Sequence, residues 1–205
     1  MRQTHVPNDA QVIIRSRDRP EEFSELYRRH ARAVFRYAAS RLGREHADDV
    51  VSEALLVAFQ RRGSFDPEVE SALPWLLGIA TRLIRKRRRE ETAAWRAVAR
   101  ASGLGGAGTD RSGHDPAEAI DDRLDAHASI ERISSAIAAL PARDRDVLTL
   151  TAWSDLDASG IAEALAIPEG TVWSRLNRAR RALRNILDAD AVRISENDHE
   201  YTTER

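Results

Sequence analysis

Apolar residues recur every three or four positions along most of the chain, and no long stretch alternates apolar with polar residues. This spacing places the apolar side chains on one face of an α-helix. In the N-terminal half it predicts helices over residues 20–42, 47–59 and about 74–89, and Gly43 and Pro67 interrupt the pattern between them. We therefore expect a compact, all-helical domain in this half of the chain.

The C-terminal half continues the helical spacing from about residue 126 to residue 188. A helix through residues 130–140 and another after Pro141 come first. Residues 157–184 then predict a short helix and a longer one, joined by a tight turn that contains a proline and a glycine. Two helices joined in this way are typical of a helix-turn-helix, whose second helix lies in the DNA major groove.

The longer helix of this pair is strongly basic. No acidic residue follows Glu169 before residue 184, and five arginines lie within ten residues, at positions 175, 178, 180, 181 and 184. Val172 and Leu176 form an apolar stripe that can pack on the shorter helix and leave the basic side exposed. Because arginine binds phosphates and reads guanine, we predict that this helix binds DNA. The alternative is a solvated basic helix face.

The charge of the whole chain would not suggest nucleic acid, because 32 basic and 33 acidic residues leave a net charge of −1. The two signs are segregated, however. Residues 81–100 hold eight basic and two acidic residues, whereas residues 110–131 hold seven acidic and two basic ones. Segregation of this kind indicates separate faces for separate partners. The chain has no cysteine, which excludes disulfides and thiolate zinc sites.

These patterns predict an all-α protein made of two small helical domains, residues 20–92 and 128–188, the second a helix-turn-helix. A flexible acidic linker, residues 93–127, is expected to join them, because its Gly, Ser and Asp residues cannot bury enough apolar surface. Residues 1–19 are expected to form a loose polar leader and residues 189–205 a frayed polar tail. No apolar run approaches the roughly 20 residues that span a bilayer, and no signal peptide is evident, so we expect a cytoplasmic protein without membrane insertion.

The two domains and the acidic linker together resemble bacterial RNA polymerase sigma factors of the sigma-70 family, in particular the extracytoplasmic-function (ECF) subfamily. The resemblance rests on residues 47–59 and 74–84 in the first domain and on residues 140–148, 161–165 and 170–176 in the second. It implies that the domains are sigma domains 2 and 4. Such a factor binds core RNA polymerase, recognises the −10 and −35 promoter elements, and helps to open the DNA.

The resemblance also implies which residues bind each partner. The acidic face of the second helix would grip the clamp of the polymerase β′ subunit, with the β subunit as a further contact: Asp48, Asp49 and Glu53. A melted −10 strand needs a basic groove with apolar or aromatic surface nearby, and the candidates are Phe65, Arg82, Arg85, Lys86, Arg88 and Arg89. The −35 candidates lie on the recognition helix: Thr171, Trp173, Ser174, Arg175, Arg178 and Arg181.

Two positions depart from the family pattern. Arg82 stands where the family often has asparagine, so a guanidinium replaces a base-reading amide. Trp173 stands where a lysine or arginine is usual, and tryptophan can pack on a thymine methyl group but cannot bind guanine in a bidentate manner. We expect Trp173 to contact DNA, with packing inside the domain as the alternative. Trp75 and His30 are expected to be packing residues of the first domain.

No catalytic residue, cofactor or metal is implied by the sequence or by the resemblance. Promoter DNA and core RNA polymerase are the expected partners, and an anti-sigma factor is a further candidate because the family is commonly held inactive by one. One alternative function is a conventional helix-turn-helix regulator with a helical sensor or dimerisation domain. Another is a helical adaptor that mainly binds proteins. The regulator alternative leaves the basic run at residues 85–89 unexplained.

Overall fold

The computed structural model describes the backbone of residues 7–101 and 132–202, and the side chains of residues 7–94 and 132–188. All regular secondary structure in these ranges is helical, as the sequence predicts. The elements in chain order are α1 (Asp9–Arg15), a 3-10 helix (Pro20–Phe23), α2 (Ser24–Leu42), α3 (Arg44–Gln60), a 3-10 helix (Arg62–Ser64), α4 (Leu73–Ala101), α5 (described over residues 132–139), α6 (Ala142–Trp153), α7 (Ala158–Leu165) and α8 (Glu169–Thr202).

Helices α2, α3 and α4 form the first domain, and their bounds follow from local sequence. Gly43 has a φ of +82°, a left-handed conformation that favours glycine, and it ends α2 directly before α3 begins. The buried faces of the three helices contribute large side chains to the hydrophobic core, among them Tyr37, Val50 and Leu76. The apolar spacing of the sequence therefore identified the helices and the sides that form the core.

The N-terminal segment is not the loose leader that we predicted. Asn8 caps α1 in a capping box, in which its side chain accepts from the Gln11 N–H at 2.9 Å and Gln11 reaches back to the Asn8 N–H at 3.2 Å. Three apolar residues of this helix enter the domain core: Ala10, Val12 and Ile13. The first domain therefore includes at least part of residues 7–19.

Asp9 ties α1 to the rest of the domain. Its side chain is buried, with Arg29 Nη1 donating to Oδ1 at 2.9 Å and His30 Nε2 lying 2.6 Å from Oδ2. The backbone N–H of Ala72, just before α4, also donates to Oδ2 at 2.8 Å. His30 is thus a paired packing residue, as expected, and α1 is connected to both α2 and α4.

Helices α7 and α8 form the predicted helix-turn-helix. The Asp157 carboxylate caps α7 by accepting from the Gly160 N–H at 2.8 Å. Ala166 ends the helix in a left-handed conformation with φ +52°, which is strained for a residue with a Cβ. Ile161 of α7 and Val172 of α8 are both buried, so the two apolar stripes pack as predicted.

The predicted linker and tail require correction where the structure describes them. Residues 93–101 continue α4 as helix instead of belonging to a linker, and residues 102–127 lie outside the described residues. Helix α8 runs through most of the predicted tail to Thr202. The spacing of apolar residues could not reveal these extensions, because that spacing marks only the turns of a helix that pack on a core.

The two domains pack against each other. Helix α4 of the first domain lies against α7 of the second, and α2 lies against α6. Residues of both domains form one buried apolar cluster, which includes Val147 and Leu150 of α6. This contact could not be predicted from the sequence, because it pairs residues that lie far apart in the chain.

Candidate nucleic-acid interface

An acidic face of α3 points away from the core. Asp48 and Asp49 are exposed, and Glu53, one turn later, is half-buried. Leu56 continues the same face and is 54% exposed, although a leucine on a helix of this domain would ordinarily be expected in the core. Arg87 of α4 approaches this face and pairs with Glu53 at 3.0 Å and with Asp49 at 3.6 Å. The face thus combines carboxylates with an exposed apolar side chain.

A basic face of α4 borders a groove between α2, α4, α5 and α6. Five of the −10 candidates line this groove: Arg82, Arg85, Lys86, Arg88 and Arg89. Arg82, Lys86 and Arg89 are exposed, whereas Arg88 is half-buried and donates to the carbonyl oxygen of Arg41. The structure therefore brings these candidates together on one surface, as the sequence predicted.

Arg82 lies in an unusually positive environment. Although Arg82 is exposed overall, partial burial of its guanidinium lowers the pKa of this group, and the charges of Arg61 and Arg85 lower the pKa further. Cations held close together in this way are suited to an anionic ligand such as a phosphate backbone. Sequence reasoning missed Arg61, which lies at the end of α3 outside the basic run.

Arg85 is already engaged by a carboxylate of the other domain. Its Nε donates to Asp146 Oδ2 at 2.7 Å, and its Nη2 lies 2.6 Å from the same oxygen. Arg41 of α2 donates to the other oxygen, Asp146 Oδ1, at 2.7 Å. The Asp146 side chain is fully buried between these two arginines. Neither Arg41 nor Asp146 stood out in the sequence, because 105 residues separate them.

Phe65 is placed differently from the other −10 candidates. It is only 6% exposed, and its ring packs on Trp75 with 5.1 Å between the centroids. Trp75 is itself half-buried against the core, as expected for a packing residue. In this conformation Phe65 offers no surface to an unstacked base, and its described contacts are those of a core residue.

The recognition helix α8 presents most of its candidates to solvent. Trp173, Ser174, Arg178 and Arg181 are exposed, and Thr171 and Arg175 are half-buried. Trp173 is 51% exposed, and its Nε1 lies 3.4 Å from Glu169 Oε1. The apolar stripe of α8 is filled by other residues, so Trp173 stands on the outer face.

Arg178 differs from its neighbours because the fold already holds it. Its Nε and Nη2 donate to the two carboxylate oxygens of Asp144 at 2.8 and 3.1 Å. Asp144 is buried near the start of α6. This bidentate pair connects the recognition helix to α6 and fixes the guanidinium near the helix surface.

Comparison with known families agrees with this arrangement. Residues 26–100 match sigma-70 region 2, and residues 130–183 match sigma-70 region 4. The chain is 36% identical over 160 residues to the ECF RNA polymerase sigma factor SigL of Mycobacterium tuberculosis, an alignment that covers 78% of this chain and 85% of SigL. The chain belongs to the ECF sigma factors. This sigma factor binds core RNA polymerase and promoter DNA and directs transcription initiation.

Two solved structures share the fold. The structure of CnrH in complex with the cytosolic domain of CnrY matches with a TM-score of 0.63 at 23% identity, and it covers 89% of this sigma factor and 98% of CnrH. The structure of RpoE from Bartonella quintana with the anti-sigma factor NepR matches with a TM-score of 0.54 at 22% identity, covering 83% of this chain and 99% of RpoE. Within the described residues, none of the helices has the length and apolar character needed to cross a membrane.

Proposed function

We propose that this sigma factor docks on core polymerase through the acidic face of α3, holds the −10 element on the basic face of α4, and reads the −35 element with α8. The chain itself carries out no chemistry and acts in the cytoplasm. The first domain, extended to include α1 and the whole of α4, serves as sigma domain 2, and residues 128–188 serve as sigma domain 4. The observation that supports this most strongly is that α4 and α8 each direct a cluster of basic residues away from the apolar core.

The proposal that α3 contacts the polymerase rests on the solvent exposure of its acidic side chains. Asp48 and Asp49 lie outside the core, so they can meet a basic partner without disturbing the fold. Leu56 adds an apolar contact to the same face, and interfaces commonly combine a buried apolar centre with charged residues around it. We propose that Leu56 and Asp48 contact the β′ clamp together, while Glu53 and Asp49 are released from Arg87 on docking.

The −10 assignment rests on the groove beside α4. Arg82 and Lys86 are exposed one turn apart and can follow the backbone of a displaced strand. The experiment is run-off transcription with purified core polymerase on a promoter library. Alanine at Arg82 and Lys86 should reduce transcripts strongly on closed duplex and weakly on a template mismatched over the −10 region. Equal losses on both templates would contradict a role in melting.

The −35 assignment rests on the outer face of α8. Trp173, Ser174 and Arg181 are exposed together and can reach base edges when the helix enters the major groove. Arg178 and Arg175 complete the surface closer to the domain body. Selection of −35 sequences from a randomised promoter library tests this surface, because loss of a base-reading residue relaxes preference at one position.

An anti-sigma factor is the third partner that we propose. The RpoE structure contains one, and the groove between α2, α4, α5 and α6 of this chain combines basic residues with the exposed side chain of Ile133. An acidic amphipathic helix would fit such a surface. Loss of transcription on adding a co-purifying acidic protein, restored by excess sigma factor, would support the proposal.

A further inference from the structure

The two domains meet at an interface built for close contact. An ideal Cβ placed on Gly78 of α4 would lie 2.5 Å from the backbone carbonyl oxygen of Ala164 in α7. Only glycine permits this approach, since the obstructing atom is backbone and cannot rotate away. Glycine inside a helix is less favourable than alanine, because its backbone loses more conformational freedom on folding. Gly78 is therefore explained by the contact between the domains and not by the needs of α4.

A buried ion cluster lies at the same interface. The carboxylate of Asp146, from the second domain, is fully buried and is neutralised by Arg41 and Arg85 from the first. A buried charge is strongly unfavourable unless it is paired, so the interface depends on all three side chains. Arg36 of the first domain and Asp155 of the second form an exposed salt bridge across the boundary, with 2.7 Å between Arg36 Nη2 and Asp155 Oδ2.

The cluster is suited to reversible opening. A buried ion pair adds little net stability, because separation returns both charges to water. Among the described residues, Arg41 Nε is buried without a hydrogen-bond partner and would gain one from solvent. Burial raises the pKa of Glu163 in α7, and the negative charge of Asp66 in the first domain raises it further, so these two like charges repel each other across the boundary. The interface thus combines close packing with features that ease its release.

We propose that domains 2 and 4 of this sigma factor bind each other in the free protein, and that Asp146 thereby blocks Arg85 from the −10 strand. The second part rests on the proposed function of α4. Arg85 cannot pair with Asp146 and with a phosphate through the same donors, so the closed arrangement competes with promoter binding. The outer face of α8 stays exposed in this arrangement. The closed arrangement therefore blocks the −10 surface of α4 and leaves the outer face of α8 free.

The association is tested by measuring the distance between the domains in the full chain. The chain has no cysteine, so labels at Gln60→Cys and Asn185→Cys report on one domain each. Gly78→Ala introduces a wedge at Ala164, and Gly63→Ala is the matched control because a Cβ there meets nothing within 4 Å. In the parent and in the Gly63→Ala control, we expect a single, short distance between the two labels. Gly78→Ala should give longer and broader distances at unchanged helix content.

Asp146→Asn provides a second route to opening, which keeps the test valid if Gly78→Ala fails to fold. It leaves Arg41 and Arg85 without their anion and should also lengthen the distance. A long, broad distance in the parent would overturn the proposal, as would a Gly78→Ala protein that keeps the short distance of the parent.

Binding of a single-stranded −10 oligonucleotide tests the competition. If about nine molecules in ten are closed, the apparent affinity of the parent is about tenfold below that of an open protein. Gly78→Ala should recover this factor, and Gly63→Ala should not. Opening without a gain in affinity would refute the autoinhibitory role of Asp146 while leaving the domain association intact. Absence of promoter-specific transcription by every protein, parent included, would instead count against the proposed function.

Discussion

Replacing Asp9 by asparagine tests the most heavily paired side chain of the N-terminal segment. Asp9 is 5% exposed and accepts hydrogen bonds from two side chains of α2 and from one backbone N–H directly before α4. Burial alone raises the pKa of Asp9. Hydrogen bonds from His30, the Ala72 amide and Arg29, with the charge of His30, outweigh it and lower the pKa from 3.8 to about 2. Asparagine keeps the size of the side chain, removes the charge, and replaces one of the two acceptor oxygens with an NH2 donor.

The magnitude follows from proton linkage. A fall in pKa from 3.8 to about 2 corresponds to about 2 kcal/mol in the free energy of unfolding. Because the folded-state pKa lies below the unfolded-state pKa, the unfolded chain binds the proton more readily. The stabilisation is therefore fully present above pH 3.8 and is lost as the pH falls towards 2. About half of it should already be gone near pH 3.

The assay is urea unfolding of the parent and Asp9→Asn proteins at several pH values from 7 to 2.5. The difference between their free energies of unfolding should shrink by about 2 kcal/mol towards the acid end, with most of the change below pH 4. Asp18→Asn is the matched control, since Asp18 is an exposed aspartate of the same segment. A difference that stays constant with pH would refute the pairing of Asp9.

Three further changes test other parts of the molecule. Ala166→Gly should raise the free energy of unfolding by up to about 1 kcal/mol in urea titrations, because glycine adopts φ +52° without strain; an unchanged midpoint would contradict this. Asp48→Arg combined with Asp49→Arg should weaken binding to core polymerase about tenfold or more in a competition assay, whereas Glu45→Arg, at an exposed site on the same helix, should not. Trp173→Arg should shift the preferred −35 sequence without lowering stability, and an unaltered preference would exclude a base contact.

The helices and their inner faces could be predicted from the sequence because apolar spacing is a local signal. Gly43 marked the end of α2, and the stripes of α7 and α8 predicted their packing. The basic candidates of α4 were also found together on one surface, since residues three and four apart share a helix face. Regular periodicity over several turns was enough for each of these predictions.

The remaining features depend on contacts that local spacing does not encode. Helix α1 has only seven residues, too few for a periodic pattern, and it is held by Asp9 through partners on other helices. Phe65 was predicted to contact the −10 strand, but its ring packs on Trp75. The pairing of Asp146 with Arg41 joins residues of different domains, and a single sequence carries no trace of it.

The structure also separates arginines that the sequence treated as equivalent. Two donor atoms of Arg178 are bound to Asp144, which leaves Nη1 as its fully available donor group for DNA. Bidentate recognition of guanine requires two donors in a suitable fork, whereas one donor suffices for a phosphate oxygen. If α8 binds DNA as proposed, this geometry favours a phosphate contact for Arg178, which would position α8 on the duplex without reading sequence. On the proposed function of α8, base readout is then left to the outer face around Trp173 and Arg181, so we expect Trp173, which departs from the family pattern, to influence promoter preference.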